Sequence, residues 1–527
     1  MSLLDFSAQG GSVWDLTDFR LNYMNNNTKV RTRFAPSPTG ELHIGGLKTA
    51  LNDYLIAKNA GGKFVVRVED TDQKRLVKGA VERMVKALEW AGIEIDEGVK
   101  ITEDQIEEAG EYGPYTQSKR LDIYKKYADQ LLSEEKAYPC FCSSDRLDEM
   151  RQEQQKNKQA PKYDRHCLSM SKEEVQEKID AGEKYVLRFR IPEGYTTFKD
   201  GVFGKISVKN ENLDDFIIMK SDGFPTYHLA VVVDDYSMKI SHTLRGSEWL
   251  PSTPKHILLY EALGWAEEMP QFIHMATILN KNGKKLSKRE GSVSVEDFRK
   301  QGYPKEALIN FIALLGWNPK TEQEIFTMPE LIEQFNIAKM NKAGGVFDID
   351  RLNWISNQHI KKMSIDKLYE RGIEFLEQQN FYKEFTEEAE LTTGEIKDYV
   401  KKILTVEQER LRKFTEIGLE NQFFFSATDK LNIPLEDIHW KENTAEETKT
   451  TLSEVEEVLA TIPEEEWKEE RIQEKLLKLA GEKRGDYLFP LRWALSGQQK
   501  SPSPFEIAWV LGKEESLKRV KKVIDKL

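Results

Sequence analysis

Val30 to Asp72, VRTRFAPSPTGELHIGGLKTALNDYLIAKNAGGKFVVRVEDTD, limits the fold more than any other stretch of this chain. The run VRTRFA reads as a short strand, cut off by two prolines and several turn formers. Leu47, Ala50, Leu51, Tyr54 and Leu55 then fall on the i, i+3, i+4, i+7, i+8 stripe of a helix that buries one face. Gly61 and Gly62 stop that helix, and KFVVRVEDTD opens a second strand. Strand, loop, helix and strand in this order predict an α/β unit. The loop opens the helix, where unpaired N–H groups and a partial positive charge suit an anion such as phosphate. Gly45 and Gly46 permit close approach to the backbone, and His43 can donate to a phosphate oxygen. A tight turn with glycines kept for packing fits the same stretch about equally well.

At 527 residues the chain has material for roughly three to four domains. After the first α/β unit comes a mixed region: GPYTQSKR starts a helix, and YVLRFRIP and GKISVKNENLDDFIIMK read as strands. PTYHLAVVVDDY reads as β, ISHTLRGSEW follows it, and KHILLYEALGW is a helix. Beyond about residue 300 the pattern is almost wholly helical. Ser453 with Glu456 reads as a capping box, ahead of an apolar side at Val455, Val458 and Leu459. Ile472, Leu476 and Leu479 form a second stripe closed by Gly481, and EEEWKEE at 464–470 reads as a solvated face.

No run of about 18 apolar residues suggests a membrane span, and the first 23 residues lack the pattern of a secretory signal. Met24 follows that segment, which reads as a disordered extension or an upstream start artefact. Three cysteines speak for a reducing compartment, so a cytoplasmic protein is expected. A net charge of −12 argues against wholesale coating by nucleic acid but leaves room for a local basic surface.

The second chemically loaded stretch is NKNGKKLSKREG, Asn280 to Gly291. An Asn-Gly turn and Lys284, Lys285, Lys288 and Arg289 make a cationic loop, suited to the charge that develops when a triphosphate is displaced. Taken together, PSPTGELHIGG and KLSKR resemble the two signature motifs of class I aminoacyl-tRNA synthetases, in the form of the bacterial-type glutamyl enzymes. RVEDTD, GPYTQSKR, AYPCFC, PTYHLA, VDD, LRGSEW, LLGW, GGVFD and PLRWALSG follow in the family's order, so the likeness runs from about residue 30 to the end.

The resemblance implies an α/β Rossmann-type catalytic domain with an inserted α+β acceptor-binding domain, then an all-α C-terminal anticodon-binding region. The expected divisions are 1–23 extension, 24–112 first catalytic half, 113–221 insertion, 222–280 second catalytic half, 281–370 stem-contact region with the Lys-Leu-Ser-Lys-Arg loop, and 371–527 anticodon domain. It implies ligation of L-glutamate to the 3′ end of tRNA-Glu, with ATP and Mg2+, by a monomer. By the same likeness His43, Lys285 and Lys288 serve catalysis. Pro36, Ser37, Gly45, Gly46, Glu248, Leu286, Ser287 and Arg289 contact ATP. Arg33, Ala35, Ser37, Glu69, Tyr227, Val231 and Arg245 surround glutamate. Arg33 is expected to take the side-chain carboxylate, Arg245 the α-carboxylate and Glu69 the ammonium. An arginine opposite the side-chain carboxylate would reject glutamine, whose amide leaves a guanidinium without counter-charge.

Some positions depart from the family. Val231 stands where asparagine commonly follows HLA, and GGLKTAL replaces the commoner GGARTAL. Cys140, Cys142 and Cys167 have the C-x-C-x24-C spacing of a zinc knob in some relatives, yet the fourth ligand falls at Ser169, and His166 could serve only after rearrangement. Buried, reduced thiols without zinc are therefore expected. In the helical end, Phe489 and Trp493 read as core, and no anticodon-reading residue is named. Two other readings fit the chain: an enzyme that also glutamylates tRNA-Gln, and a non-catalytic tRNA-binding relative. A nucleotidyltransferase shares the phosphate loop but has no need of the long helical half.

Overall fold

The computed structural model describes residues 29–286 and 293–527. The extension expected at 1–23 lies outside the described residues. Two compact units emerge: residues to 278 with 316–321 and 329–345, and residues 279–315, 322–328 and 346–527.

The first unit is built on a six-stranded sheet in the order β11-β10-β1-β2-β3-β4. Its strands are β1 (Arg31–Phe34), β2 (Lys63–Val66), β3 (Glu97–Thr102), β4 (Gln105–Ala109), β10 (His242–Gly246) and β11 (Gln271–Met275). All pair in parallel except β4, which returns antiparallel on β3. The chain builds outward from β1 in one direction early, through β2 and β3. Much later it builds in the other, through β10 and β11. The carboxyl end of β1 is thus a topological switch point, where such sheets leave a crevice. Gly98 of β3 has φ +110, and a Cβ there would lie 2.0 Å from the Val66 carbonyl oxygen, so only glycine lets β2 and β3 pair this closely.

Helix α1 (Ile44–Asn59) crosses from β1 to β2. The predicted stripe of Leu47, Ala50, Leu51, Tyr54 and Leu55 is buried, and so are Lys48, Asn52 and Asp53 beside it. The sequence Tyr227–Ser237, expected to be β, is helix α2. Its run LAVVV is apolar on every side, and such a run fits a buried strand or a buried helix equally. Here it packs with Ile257, Leu259 and Phe216 in one apolar cluster. Helix α3 (Thr253–Ala262) follows β10.

Between β4 and α2 lies the insertion, with sheet β5-β6-β9 (Ala137–Cys140, Val186–Phe189, Ile217–Met219) and the hairpin β7–β8 (Tyr195–Asp200, Gly204–Lys209). The stretch read as one strand after Gly204 is split in two by a 3-10 turn at Asn210–Asn212. The hairpin turn seats on β11: the Gly201 N–H donates to the Phe272 carbonyl at 2.9 Å, and a Cβ on Gly201 would come within 2.9 Å of Ile273.

The second unit is helical. Helix 445–460 begins at Thr444, whose side chain and that of Glu447 form the capping box. Ser453, read as the cap, lies mid-helix and donates back to the Lys449 carbonyl. Val455 and Leu459 are buried as expected, and so are Ile472 and Leu476 of helix 469–480, which ends at Gly481. Within 464–470, Trp467 is buried and donates to the Ala508 carbonyl, so that segment is not wholly solvated. Trp493 is buried and Phe489 packs against it. Among the described residues no helix is long and apolar enough to cross a membrane.

Candidate functional site

The ends of β1 and β10, the segment after β2 and the first residue of α2 bring Arg33, Arg245, Glu69 and Tyr227 into one electrostatic neighbourhood. The Tyr227 hydroxyl lies within the fields of Arg245, Glu69 and Arg33 together, and burial raises its pKa. All four sit in the first unit.

Arg33 points inward from β1 and is only 3% exposed. Its Nε donates to Asp235 Oδ1 at 3.1 Å and its Nη1 to the Leu244 carbonyl at 3.1 Å. Asp235, from the end of α2, also accepts from Arg67 Nη1 at 2.7 Å and from Thr243 Oγ1 at 3.2 Å. Burial alone would raise the Asp235 pKa, but Arg33 and Arg67 hold it below the ordinary carboxylate value. Arg67 reaches Glu69 Oε1 at 2.9 Å through Nη2. So Arg33 is not the bare fork the sequence suggested. Two of its donor positions are committed, and its charge is matched by Asp235.

Arg245 differs. It is 5% exposed and no carboxylate bonds to it among the described residues. Nε donates to His274 Nε2 at 3.0 Å, Nη1 to His256 Nδ1 at 3.0 Å and to the Tyr227 hydroxyl at 3.3 Å, and Nη2 to Thr253 Oγ1 at 2.8 Å. Burial pulls its pKa below the ordinary arginine value. Asp235 and Glu69 lie against Arg33 and Arg67, Asp234 pairs with Arg67 and Arg120, and the buried Asp200 reaches Arg245 only through His274, so among the described residues no anion touches the Arg245 guanidinium. A buried guanidinium held by neutral acceptors alone is suited to an anion.

At the phosphate loop, His43 is the N-cap of α1. Its Nδ1 accepts from the Gly45 N–H at 3.0 Å, which sets the ring proton on Nε2. A Cβ on Gly46 would lie 2.9 Å from Leu42 Cδ1, so this glycine serves packing, whereas Gly45 faces only the His43 ring. Ser37 is exposed, Ala35 and Pro36 are half-buried, and the Pro36 carbonyl accepts from the Glu69 N–H at 3.0 Å, joining loop to strand end. Lys48, one of the two departures in GGLKTAL, is buried and donates to the Ala276 carbonyl at 2.7 Å, and burial lowers its pKa to about 8. Glu248 is exposed just past β10, and Trp249 beside it packs on Tyr227 with ring centroids 4.4 Å apart. Val231 is in the apolar core of α2.

Lys285 and Leu286 belong to the second unit, where Lys285 bridges to Leu279. Ser287, Lys288 and Arg289 lie outside the described residues.

The three cysteines converge in the insertion. Their sulfurs lie within 4.8 Å of one another, with Cys142 and Cys167 at 3.5 Å. The Tyr163 hydroxyl is 3.4 Å from both Cys140 and Cys142. Tyr163 thus stands beside the sulfurs, while Ser169, which sequence spacing put at the fourth place, donates its own hydroxyl to the His166 carbonyl. A hydrogen bond from Cys167 is the main cause holding the Cys140 thiol well below its ordinary range.

Sequence reasoning passed over Asp235, which holds Arg33, and His256 and His274, which hold Arg245, with Asp200 behind His274. VDD in the motif string was the one signal pointing at Asp235.

Residues 29–354 match the family described as tRNA synthetases class I (E and Q), catalytic domain, and residues 367–524 match an anticodon binding domain. A glutamate–tRNA ligase of Alkaliphilus metalliredigens is 45% identical over 500 residues, covering 94% of this chain and 99% of that protein. One from Clostridioides difficile is 46% identical over 504 residues, covering 93% and 98%. The crystal structure of a glutamate tRNA ligase from Elizabethkingia meningosepticum, in complex with its amino acid, superposes with a TM-score of 0.83 at 36% identity, covering 95% of this chain and 100% of that one.

Proposed function

The chain belongs to the class I tRNA synthetases of the glutamate and glutamine type, and from that membership we propose that it is a glutamate–tRNA ligase. The observation that carries it is Arg245: a buried guanidinium held by neutral acceptors, near Tyr227, Glu69 and Arg33, is suited to an amino-acid carboxylate. The choice between glutamate and glutamine falls to Arg33: a side-chain carboxylate brings its guanidinium an opposite charge, and the glutamine amide brings none.

In this reading Arg245 and Tyr227 hold the α-carboxylate, Glu69 takes the ammonium, and Arg33 faces the side-chain carboxylate while Asp235 fixes its orientation. ATP enters as its magnesium complex, with its phosphates at the amino end of α1 beside His43, Gly45 and Gly46. An α-carboxylate oxygen attacks the α-phosphorus, and pyrophosphate leaves with the bonding electrons. By family likeness alone, Lys285 and Lys288 are the candidates for offsetting the charge that builds on the phosphates. The ribose hydroxyl of the terminal tRNA adenosine then attacks the glutamyl carbonyl carbon, and AMP departs. No side chain forms a covalent intermediate, so catalysis is positioning and electrostatics. No step draws on the thiol cluster.

Aminoacylation of tRNA-Glu and tRNA-Gln transcripts with radiolabelled glutamate and glutamine tests this. Glutamate should be joined to tRNA-Glu in an ATP-dependent way, and glutamine should not. Absence of glutamate charging and of tRNA-dependent ATP–pyrophosphate exchange would sink the reading. Charging of tRNA-Gln with glutamate would mark a non-discriminating enzyme.

A further inference from the structure

Arg245 is held by a chain of neutral imidazoles that ends on the inserted hairpin. His274 accepts from Arg245 through Nε2, so its proton is on Nδ1, which donates to Asp200 Oδ2 at 2.6 Å. Asp200, the last residue of β7, is itself fixed: its Oδ1 accepts the N–H groups of Val202 and Phe203 at 2.9 Å each. His256 accepts from Arg245 through Nδ1, so its Nε2–H donates to His228 Nδ1 at 3.0 Å. Thr253 Oγ1 stands 2.8 Å from Arg245 Nη2 and 3.1 Å from His274 Nε2. Each link works with one tautomer only. The wrong tautomer at His274 would set an N–H against the guanidinium N–H.

Burial accounts for the neutrality. It lowers the pKa of His228 to about 3 and that of His256 well below the ordinary value. A carboxylate in direct contact would hold Arg245 equally firmly but would cancel its charge. This arrangement places the anion, Asp200, one imidazole further out.

We infer that Asp200 and His274, with His256 and Thr253, are positioning residues for the amino-acid α-carboxylate: they set the Arg245 guanidinium in place through neutral acceptors and leave its charge for the substrate. The inference rests on the glutamate–tRNA ligase reading and adds to it a contribution from the inserted hairpin.

Asp200→Asn tests the inference in the full-length protein, with steady-state aminoacylation of tRNA-Glu. An amide whose oxygen stays on the two turn N–H groups turns its NH2 toward His274 Nδ1 and selects the other tautomer, in the way a triad asparagine does. We expect KM for glutamate to rise about 10-fold or more while kcat at saturating glutamate and KM for ATP stay near wild type. His274→Gln should act likewise. Thr253→Val, the mildest change, should raise KM for glutamate a few-fold, and it keeps the test open if Asp200→Asn does not fold. If all folded variants keep the wild-type KM for glutamate, the inference is wrong. It is equally wrong if KM for glutamate and for ATP rise together while Tm falls, since that pattern marks general loosening. Failure of wild type to charge glutamate would instead overturn the reading beneath it.

Discussion

Arg33 and Asp235, 202 positions apart, form a buried ion pair with Nε 3.1 Å from Oδ1, joining the central strand to the end of α2. Asp235 also takes Arg67 at 2.7 Å, so one carboxylate restrains two buried guanidinium groups. Removing it strands positive charge in the core, which costs about 3–5 kcal/mol in comparable cases. Asp235→Asn should therefore lower the unfolding free energy of the first unit, read from urea titration, by that scale and abolish glutamate charging. A change under about 0.5 kcal/mol would show that solvent already reaches the pair.

Asp53 gives the opposite sign. It is fully buried in α1, and neither carboxylate oxygen has a hydrogen-bond partner. Burial pushes its pKa well above the ordinary value, with Arg33 opposing only in part. The folded state thus binds a proton that the unfolded state releases near pH 4. This group favours folding at low pH, and that contribution is lost as pH rises from there. Asp53→Asn should raise Tm at pH 8 and change it little at pH 4, as differential scanning fluorimetry would register. A lower Tm at both pH values would mean the carboxylate is charged and paired in solution.

Glu407 makes a similar prediction in the helical unit. It accepts from the Gly418 N–H at 2.9 Å and Asn421 Nδ2 at 2.7 Å, yet burial raises its pKa from 4.5 to about 7. Stability from this group is complete below pH 4.5 and declines until the folded group titrates near 7. The full loss is on the order of 3 kcal/mol. The drop in urea midpoint between pH 5 and pH 8 should shrink in Glu407→Gln. An unchanged drop assigns the pH dependence elsewhere.

Two side chains on one helix separate a cap from its imitation. Thr444→Ala removes the acceptor for the Glu447 N–H and should cost about 1 kcal/mol by chemical denaturation. Ser453→Ala removes only a back-bond to Lys449 and should be near neutral. The reverse order of costs would restore Ser453 as the helix start.

That pair also marks what the sequence could convey. Ser453-x-x-Glu456 and Thr444-x-x-Glu447 both satisfy the capping pattern, and spacing alone cannot say which lies at a helix end. The β1–α1–β2 unit was readable because its stripe repeats with the helical period. Tyr227–Ser237 was not, because an all-apolar run has no period to read. The site divides the same way. Arg33, Glu69 and Arg245 came from motif likeness, and the structure brings them together with Tyr227. The groups that fix their charge state did not: Asp200 meets His274 across 74 positions and His274 meets Arg245 across 29, and no local pattern encodes such encounters. Tyr163 escaped notice because phenols are not counted among the usual ligands beside thiols.

The hairpin seated on β11 through Gly201 has a practical consequence. A protein engineer who exchanged the segment between β4 and α2 for that of a distant relative would be changing the support of Arg245, because Asp200 travels with the cassette while His274 stays behind. Chimaeras cut at those boundaries should work only when donor and recipient agree at both positions.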